Sequence, residues 1–106
     1  MPKYLITGSY TDQGAKGVMA EGGSGRVAAV TTLIASLGGT VESFYFGFGG
    51  DDFYVTVDLP GNTAAAAGTA VVAAAGGARP RTIVLLTPEE VDAAMRLSAD
   101  YRAPGA

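Results

Sequence analysis

The sequence predicts an α+β fold: a four-stranded antiparallel sheet in the order β-α-β-β-α-β, with a further helix at the C-terminal end. Three observations lead there. Two runs dense in aromatic and β-branched residues, Glu42–Phe48 and Phe53–Asp58, flank the turn formers Gly49, Gly50, Asp51 and Asp52, which reads as a hairpin in mid-chain. Apolar residues at helical spacing precede the hairpin, and an alanine-rich helix follows it. Strand-like segments stand outside both helices, at residues 3–10 and 81–86. At 106 residues this is one domain, covering 1–100, with a short frayed tail at 101–106.

Each element has a local reason. Lys3–Tyr10 alternates and is rich in β-formers, giving strand one. Thr11 or Asp12 caps a helix from Asp12 to Glu21. Gly22, Gly23 and Gly25 would each cost about 1 kcal/mol inside a helix, so a break or kink is expected there, with Ser24 restarting the helix. Val27, Val30, Ile34 and Leu37 then form one stripe, ended by Gly38 and Gly39. Strand two is Thr40–Phe48 and strand three Phe53–Leu59. Pro60 and Gly61 turn the chain, and Asn62 or Thr63 caps a helix through about Ala75 in which Val71 and Val72 are the only large apolar residues. Such a helix packs closely on a sheet. Gly76 and Gly77 stop it, and strand four runs from Arg81 to Leu86. Thr87, Pro88, Glu89 and Glu90 make a strong helix start, and Val91, Ala94, Met95 and Ser98 continue on one face.

This order is the split βαβ, or ferredoxin-like, pattern, with helices on one face of the sheet. Alternation sets Phe44, Phe46 and Phe48 against Val41 and Tyr45 on strand two. On strand three it sets Phe53, Val55, Val57 and Leu59 against Tyr54, Thr56 and Asp58. Strand four carries Val84 and Leu86 on one side and Ile83 and Leu85 on the other. Two partly apolar faces on a single sheet need two covers: the helices for one, a second copy of the chain for the other.

Composition narrows the function. With no cysteine and no histidine, the chain lacks thiol chemistry, thiolate or imidazole zinc sites, a histidine-based triad and a histidine-ligated haem. No cofactor and no metal site is expected. A net charge of −3 with seven scattered basic residues argues against nucleic acid. The segment from Thr63 to Ala78 is too rich in alanine and glycine for a membrane span, and Met1-Pro2-Lys3-Tyr4 leads straight into a strand without a signal peptide's apolar core. The expectation is a soluble, cytoplasmic protein.

The opening segment Pro2–Thr11, the Gly22-Gly23 kink before Arg26, the run Gly38–Gly49 and the segment Leu85–Glu90 together resemble the bacterial GYD-domain proteins, in unbroken register over residues 2–95. The resemblance implies the dimeric α/β-barrel superfamily, in which two ferredoxin-like sheets pack face to face. That group includes cofactor-independent monooxygenases, muconolactone isomerases, haem-dependent chlorite dismutases and amino-acid-sensing domains of transcriptional regulators, so fold does not decide function. The family's Gly-Tyr-Asp motif corresponds to Gly50-Asp51-Asp52, with Asp51 in the tyrosine's place and Asp52 matching the aspartate.

The candidate ligand-binding residues are Asp52, Tyr54, Thr56 and Asp58, with Tyr4 and Phe46. Tyr54, Thr56 and Asp58 share a strand face and would supply polar groups to an apolar cavity if that face lines a barrel, or a satisfied hydrogen-bond network at a dimer interface. Tyr4, Ile6 and Tyr10 extend the cavity if strand one turns that edge toward it; the pattern leaves their face open. Asp51 and Asp52 serve as turn formers, as a ligand contact or general base at a barrel mouth, or as a weak cation site. Arg79 and Arg81 either hold an anionic substrate or guard an exposed strand edge. The expected function is a homodimer binding a small, largely apolar molecule. The alternatives are a cofactor-independent isomerase or monooxygenase, or a structural protein with a filled barrel.

Overall fold

A computed structural model describes all residues from Met1 to Ala106. The elements are β1 (Lys3–Tyr10), α1 (Asp12–Ser36), β2 (Thr40–Phe46), β3 (Phe53–Asp58), α2 (Asn62–Ala75), β4 (Ala78–Leu85) and α3 (Pro88–Met95). The strands form one antiparallel sheet in the order β2-β3-β1-β4. This is the expected β-α-β-β-α-β arrangement with an added helix.

Tyr4, Ile6 and Gly8 of β1 stand opposite Val57, Val55 and Phe53 of β3, and opposite Val84, Thr82 and Pro80 of β4. These residues share one face, and α1 and α2 lie over it. Tyr4, Ile34, Val55, Val57 and Leu59 are the largest fully buried side chains, joined in the core by Phe53 and Ala65. The hydroxyl of Tyr4 donates to Asn62 Oδ1 at 2.7 Å, which fastens the centre of the sheet to the start of α2. Asn62 is therefore engaged by the sheet and does not cap: the N-cap of α2 is Gly61, with no side-chain hydrogen bond.

Helix α1 starts at Thr11, whose side chain accepts from the Gly14 backbone N–H at 3.2 Å. The expected break is a kink at Gly22, where φ is 77° and ψ is 168°. That left-handed φ lies in the region a glycine adopts without steric cost. The beginning of α1 meets the end of α2. Thr11 N–H donates to Gly77 O at 3.0 Å, and Thr11 Oγ1 donates to Gly76 O at 2.8 Å. A Cβ built on Gly14 would lie 1.7 Å from Gly77 O, so only glycine permits this approach.

Several strand boundaries depart from expectation, and β4 ends at Leu85, one residue before Leu86. Strand β4 begins at Ala78, three residues before Arg81, because Gly8, Ser9 and Tyr10 of β1 find partners in Pro80, Arg79 and Ala78. Pro80 is tolerated because β4 is an edge strand with one side unpaired. Strand β2 ends at Phe46 instead of Phe48: the Gly47 N–H makes the last cross-strand bond, to Asp52 O at 2.9 Å, while the Asp52 N–H turns to Gly8 O of β1. Strand β3 ends at Asp58, one residue before Leu59, whose N–H donates to Pro2 O.

A bulge between Val41 and Ser43 also changes a facing. Glu42 is the extra residue, so Val41 opposite Val57 and Phe44 opposite Val55 both point to the helices. Strict alternation had set them on opposite sides.

Helix α3 has a full capping box, with Glu90 N–H donating to Thr87 Oγ1 and Thr87 N–H donating to Glu90 Oε1. It buries none of its residues. The radius of gyration, 16.8 Å, exceeds the roughly 13 Å of a compact chain this long, and the molecule is elongated at 56 × 33 × 22 Å. No helix is long and apolar enough to cross a membrane.

Candidate functional site

The face of the sheet turned away from α1 and α2 carries most of the candidate residues, and the strand register sets them in three rows. Tyr45, Tyr54, Thr7 and Arg81 stand side by side across β2, β3, β1 and β4. Ser43, Thr56, Leu5 and Ile83 form the second row, and Thr40, Asp58, Lys3 and Leu85 the third. Tyr54, Thr56 and Asp58 thus project together, as their alternation implied.

The polar groups on this face are bound to one another. Lys3 sits between two carboxylates, pairing with Glu42 and with Asp58 Oδ1 at 2.9 Å. Hydrogen bonding first to Glu42 and then to Asp58 raises the Lys3 pKa above its ordinary value. The bulge makes this triad, because it turns Glu42 toward Lys3 and within 3.5 Å of Thr56 Oγ1. Thr56 Oγ1 also shares a short hydrogen bond with Ser43 Oγ.

At the other end of the face, Asp51 Oδ2 accepts from Thr7 Oγ1 at 2.9 Å and pairs with Arg81. Thr7 is buried, and its hydroxyl also lies 2.8 Å from Phe53 O. Asp51 therefore reaches inward over the sheet from the hairpin loop, with a carboxylate only 19% exposed.

Asp52 does something different. Its N–H donates to Gly8 O at 2.7 Å, and its Oδ2 accepts from the Tyr10 N–H at 2.9 Å, which locks the loop to the end of β1. The two adjacent carboxylates are used for separate jobs, one on the open face and one on the backbone.

Tyr4 and Phe46 are not on this face. Tyr4 is 1% exposed beneath α2. Phe46 lies on the helix side with its ring 4.9 Å from that of Phe44, next to Gly23 just past the α1 kink. The register explains both: Tyr4 is opposite Val57 and Phe46 opposite Phe53, each of which faces the core. Tyr10 shares the helix side, where its ring packs on Phe53 at 5.2 Å. Burial raises its pKa above the ordinary tyrosine value.

Sequence reading passed over Lys3, Leu5, Thr7 and Glu42. On β1 both alternating sets contain apolar residues, so the pattern cannot choose a face. The clue was Gly8, whose close fit under Phe53 marks its own set as the packed one, and the bulge that presents Glu42 leaves no mark in composition.

Compared with curated proteins and with solved structures, the chain matches none. The family model of the GYD domain matches residues 4–95, which takes in β1 through α3 and therefore the whole sheet, the hairpin loop and both covering helices. The chain belongs to the GYD-domain family.

Proposed function

We propose that the open sheet face is where two copies of the chain meet, and that the barrel so formed holds a small, largely apolar molecule. One observation carries this reading: Tyr45, Tyr54 and Ile83 stand exposed beside Leu5 and Leu85 on a face that no element of the chain covers, while the polar groups among them are already paired. A solvated sheet face is ordinarily polar, and an apolar patch framed by satisfied polar groups suits a partner or ligand. Two-fold pairing gives such a face a cover of its own composition.

Binding is favoured over catalysis by the state of the carboxylates. Proton transfer in a barrel without histidine needs an uncommitted acceptor. Asp58 is held by Lys3, Asp51 by Thr7 and Arg81, and Asp52 by the Tyr10 N–H. Tyr54, Thr56 and Asp58 line the proposed cavity, with Asp51 rather than Asp52 at its rim.

Native mass spectrometry of freshly purified protein tests both parts together. A dimer carrying a co-purified small molecule is expected. Leu5→Glu, which sets a charge in the middle of the face, should yield a folded monomer without the adduct. A monomeric wild type would sink the reading, and so would a Leu5→Glu variant that stays dimeric.

A further inference from the structure

The helix side of the sheet holds a cleft of about 330 Å³ between α1 and α2, away from the proposed barrel. Contacts near its ends set the spacing of the two helices: Gly14 packs on Gly77, and Leu37 reaches Gly68. Between these contacts α1 leaves helical geometry at Gly22, and α2 turns short side chains such as Ala65, Val72 and Ala75 to the space. Protein interiors are normally filled to crystal-like density, and α2 sends in no side chain long enough to do so here. Three aromatic residues, Tyr10, Phe44 and Phe53, line the cleft from the sheet, with Val30 and Ile34 opposite on α1.

The lining carries no free charge. Arg26 is its one ionised residue, and the Nη1 of that side chain lies 3.3 Å from Glu21 Oε1, while Nε is buried beyond a ligand's reach. Thr69 is satisfied as well: its Oγ1 donates to Ala65 O at 2.8 Å and is bonded to Thr82 Oγ1. Burial keeps the Tyr10 phenol protonated. An anion entering this space would give up its hydration and meet no unpaired cation. A neutral apolar molecule loses no hydrogen bond on entry and removes apolar surface from water on both sides. Smaller cavities lined in this way stay dry and take up benzene.

We propose that the interhelical cleft is a second binding site, specific for a small neutral aromatic hydrocarbon held between the short side chains of α2 and the rings of Phe44 and Phe53. The rings select an aromatic guest, because aromatic pairs gain from edge and offset contacts beyond the area they bury. At roughly 30 Å³ per water-sized atom the cleft takes about ten non-hydrogen atoms, which admits one substituted ring. The site depends on neither the dimer nor the barrel.

Three compounds built on one six-membered ring test the proposal: toluene, its saturated counterpart methylcyclohexane, and its charged counterpart benzoate. Each is titrated into the full chain with ¹³C-labelled methyl groups. Toluene should shift the methyl signals of Val30, Ile34 and Val72, and leave those of Leu5, Ile83 and Leu85 on the other face in place. It should bind about threefold tighter than methylcyclohexane and at least tenfold tighter than benzoate. Val72→Phe, which fills the cleft, should abolish toluene binding, while Arg26→Gln should leave it within twofold of the wild type. The wild-type shift map decides the location even if Val72→Phe does not fold. Benzoate or methylcyclohexane binding as tightly as toluene would overturn the proposal, and so would shifts confined to Leu5, Ile83 and Leu85, or a folded Val72→Phe variant with unchanged affinity.

Discussion

Both faces of the sheet carry large apolar side chains, yet only one of them forms a core. On the helix side Val55 and Val57 are 2% and 0% exposed, while on the open side Tyr54, in the same strand, is 41% exposed. The difference lies in what stands among the apolar residues. The strands place no charged residue on the helix side, and hydroxyls there are satisfied locally, such as Tyr4 on Asn62 and Thr82 on Thr69. The open side mixes Leu5, Ile83 and Leu85 with two ion-pair groups, one at each end. Apolar content alone therefore does not identify a core. The arrangement of charge around it separates a face packed by the chain's own helices from a face that the chain leaves open.

Neighbouring positions on β3 break this comparison most sharply. Val57→Asp sets an unpaired carboxylate in the most buried position of the chain and should cost several kcal/mol, enough to leave the domain unfolded by circular dichroism at 25 °C. Thr56→Val, one residue away on the open face, removes a hydroxyl that bonds Ser43 and Glu42 and should change the urea midpoint by no more than about 1 kcal/mol in free energy. Similar losses for both variants would mean that the open face is packed after all.

Next in size is Gly14→Ala, which tests how the helices are held over their side of the sheet. The added methyl would overlap Gly77 O, so α1 or the α2–β4 junction must move. A loss of about 1–3 kcal/mol in urea denaturation is expected. Gly17→Ala, where a Cβ meets nothing within 4 Å, should be neutral or slightly stabilising.

How much of this was legible in the sequence follows from which signals are local. The capping box at Thr87, the kink at Gly22 and the hairpin between Phe46 and Phe53 all depend on residues within a few positions of one another, and the sequence shows them directly. The facing of Tyr54, Thr56 and Asp58 was readable because alternation on β3 is clean. Alternation on β2 misled at Val41, because the bulge at Glu42 shifts the phase by one. Tyr4 and Phe46 required the pairing register, a long-range property that a single chain reveals only when folded. The start of β4 at Ala78 was hidden for a similar reason: Arg79 and Pro80 do not read as strand until Gly8 and Ser9 are beside them.

The hairpin loop offers a smaller test between its two aspartates. Asp51→Asn keeps the acceptor for Thr7 and removes the charge facing Arg81, a side chain 65% exposed. Exposed pairs contribute little, so the loss should be below about 1 kcal/mol and should shrink in high salt. Asp52→Ala removes the acceptor for the Tyr10 N–H and should cost about 1 kcal/mol with little salt dependence. Equal salt sensitivity would show that both carboxylates act as charges.

The smallest effect separates the faces by pH. Lys3 on the open face has its pKa raised, by its bonds to Glu42 and then Asp58. Tyr10 on the helix side has its pKa raised because burial disfavours the phenolate. In both cases the folded chain keeps its proton to higher pH than the unfolded chain does. Each contribution is thus fully present below the ordinary values of about 10 and 10.5, and is lost as pH climbs through the raised ones. The urea midpoint should hold up to about pH 10 and fall above it. Tyr10→Phe removes the part that depends on burial and Lys3→Met the part that depends on the triad, so each variant should show a shallower fall than the wild type. An unchanged slope in Tyr10→Phe would mean that the phenol is reached by water in the folded chain.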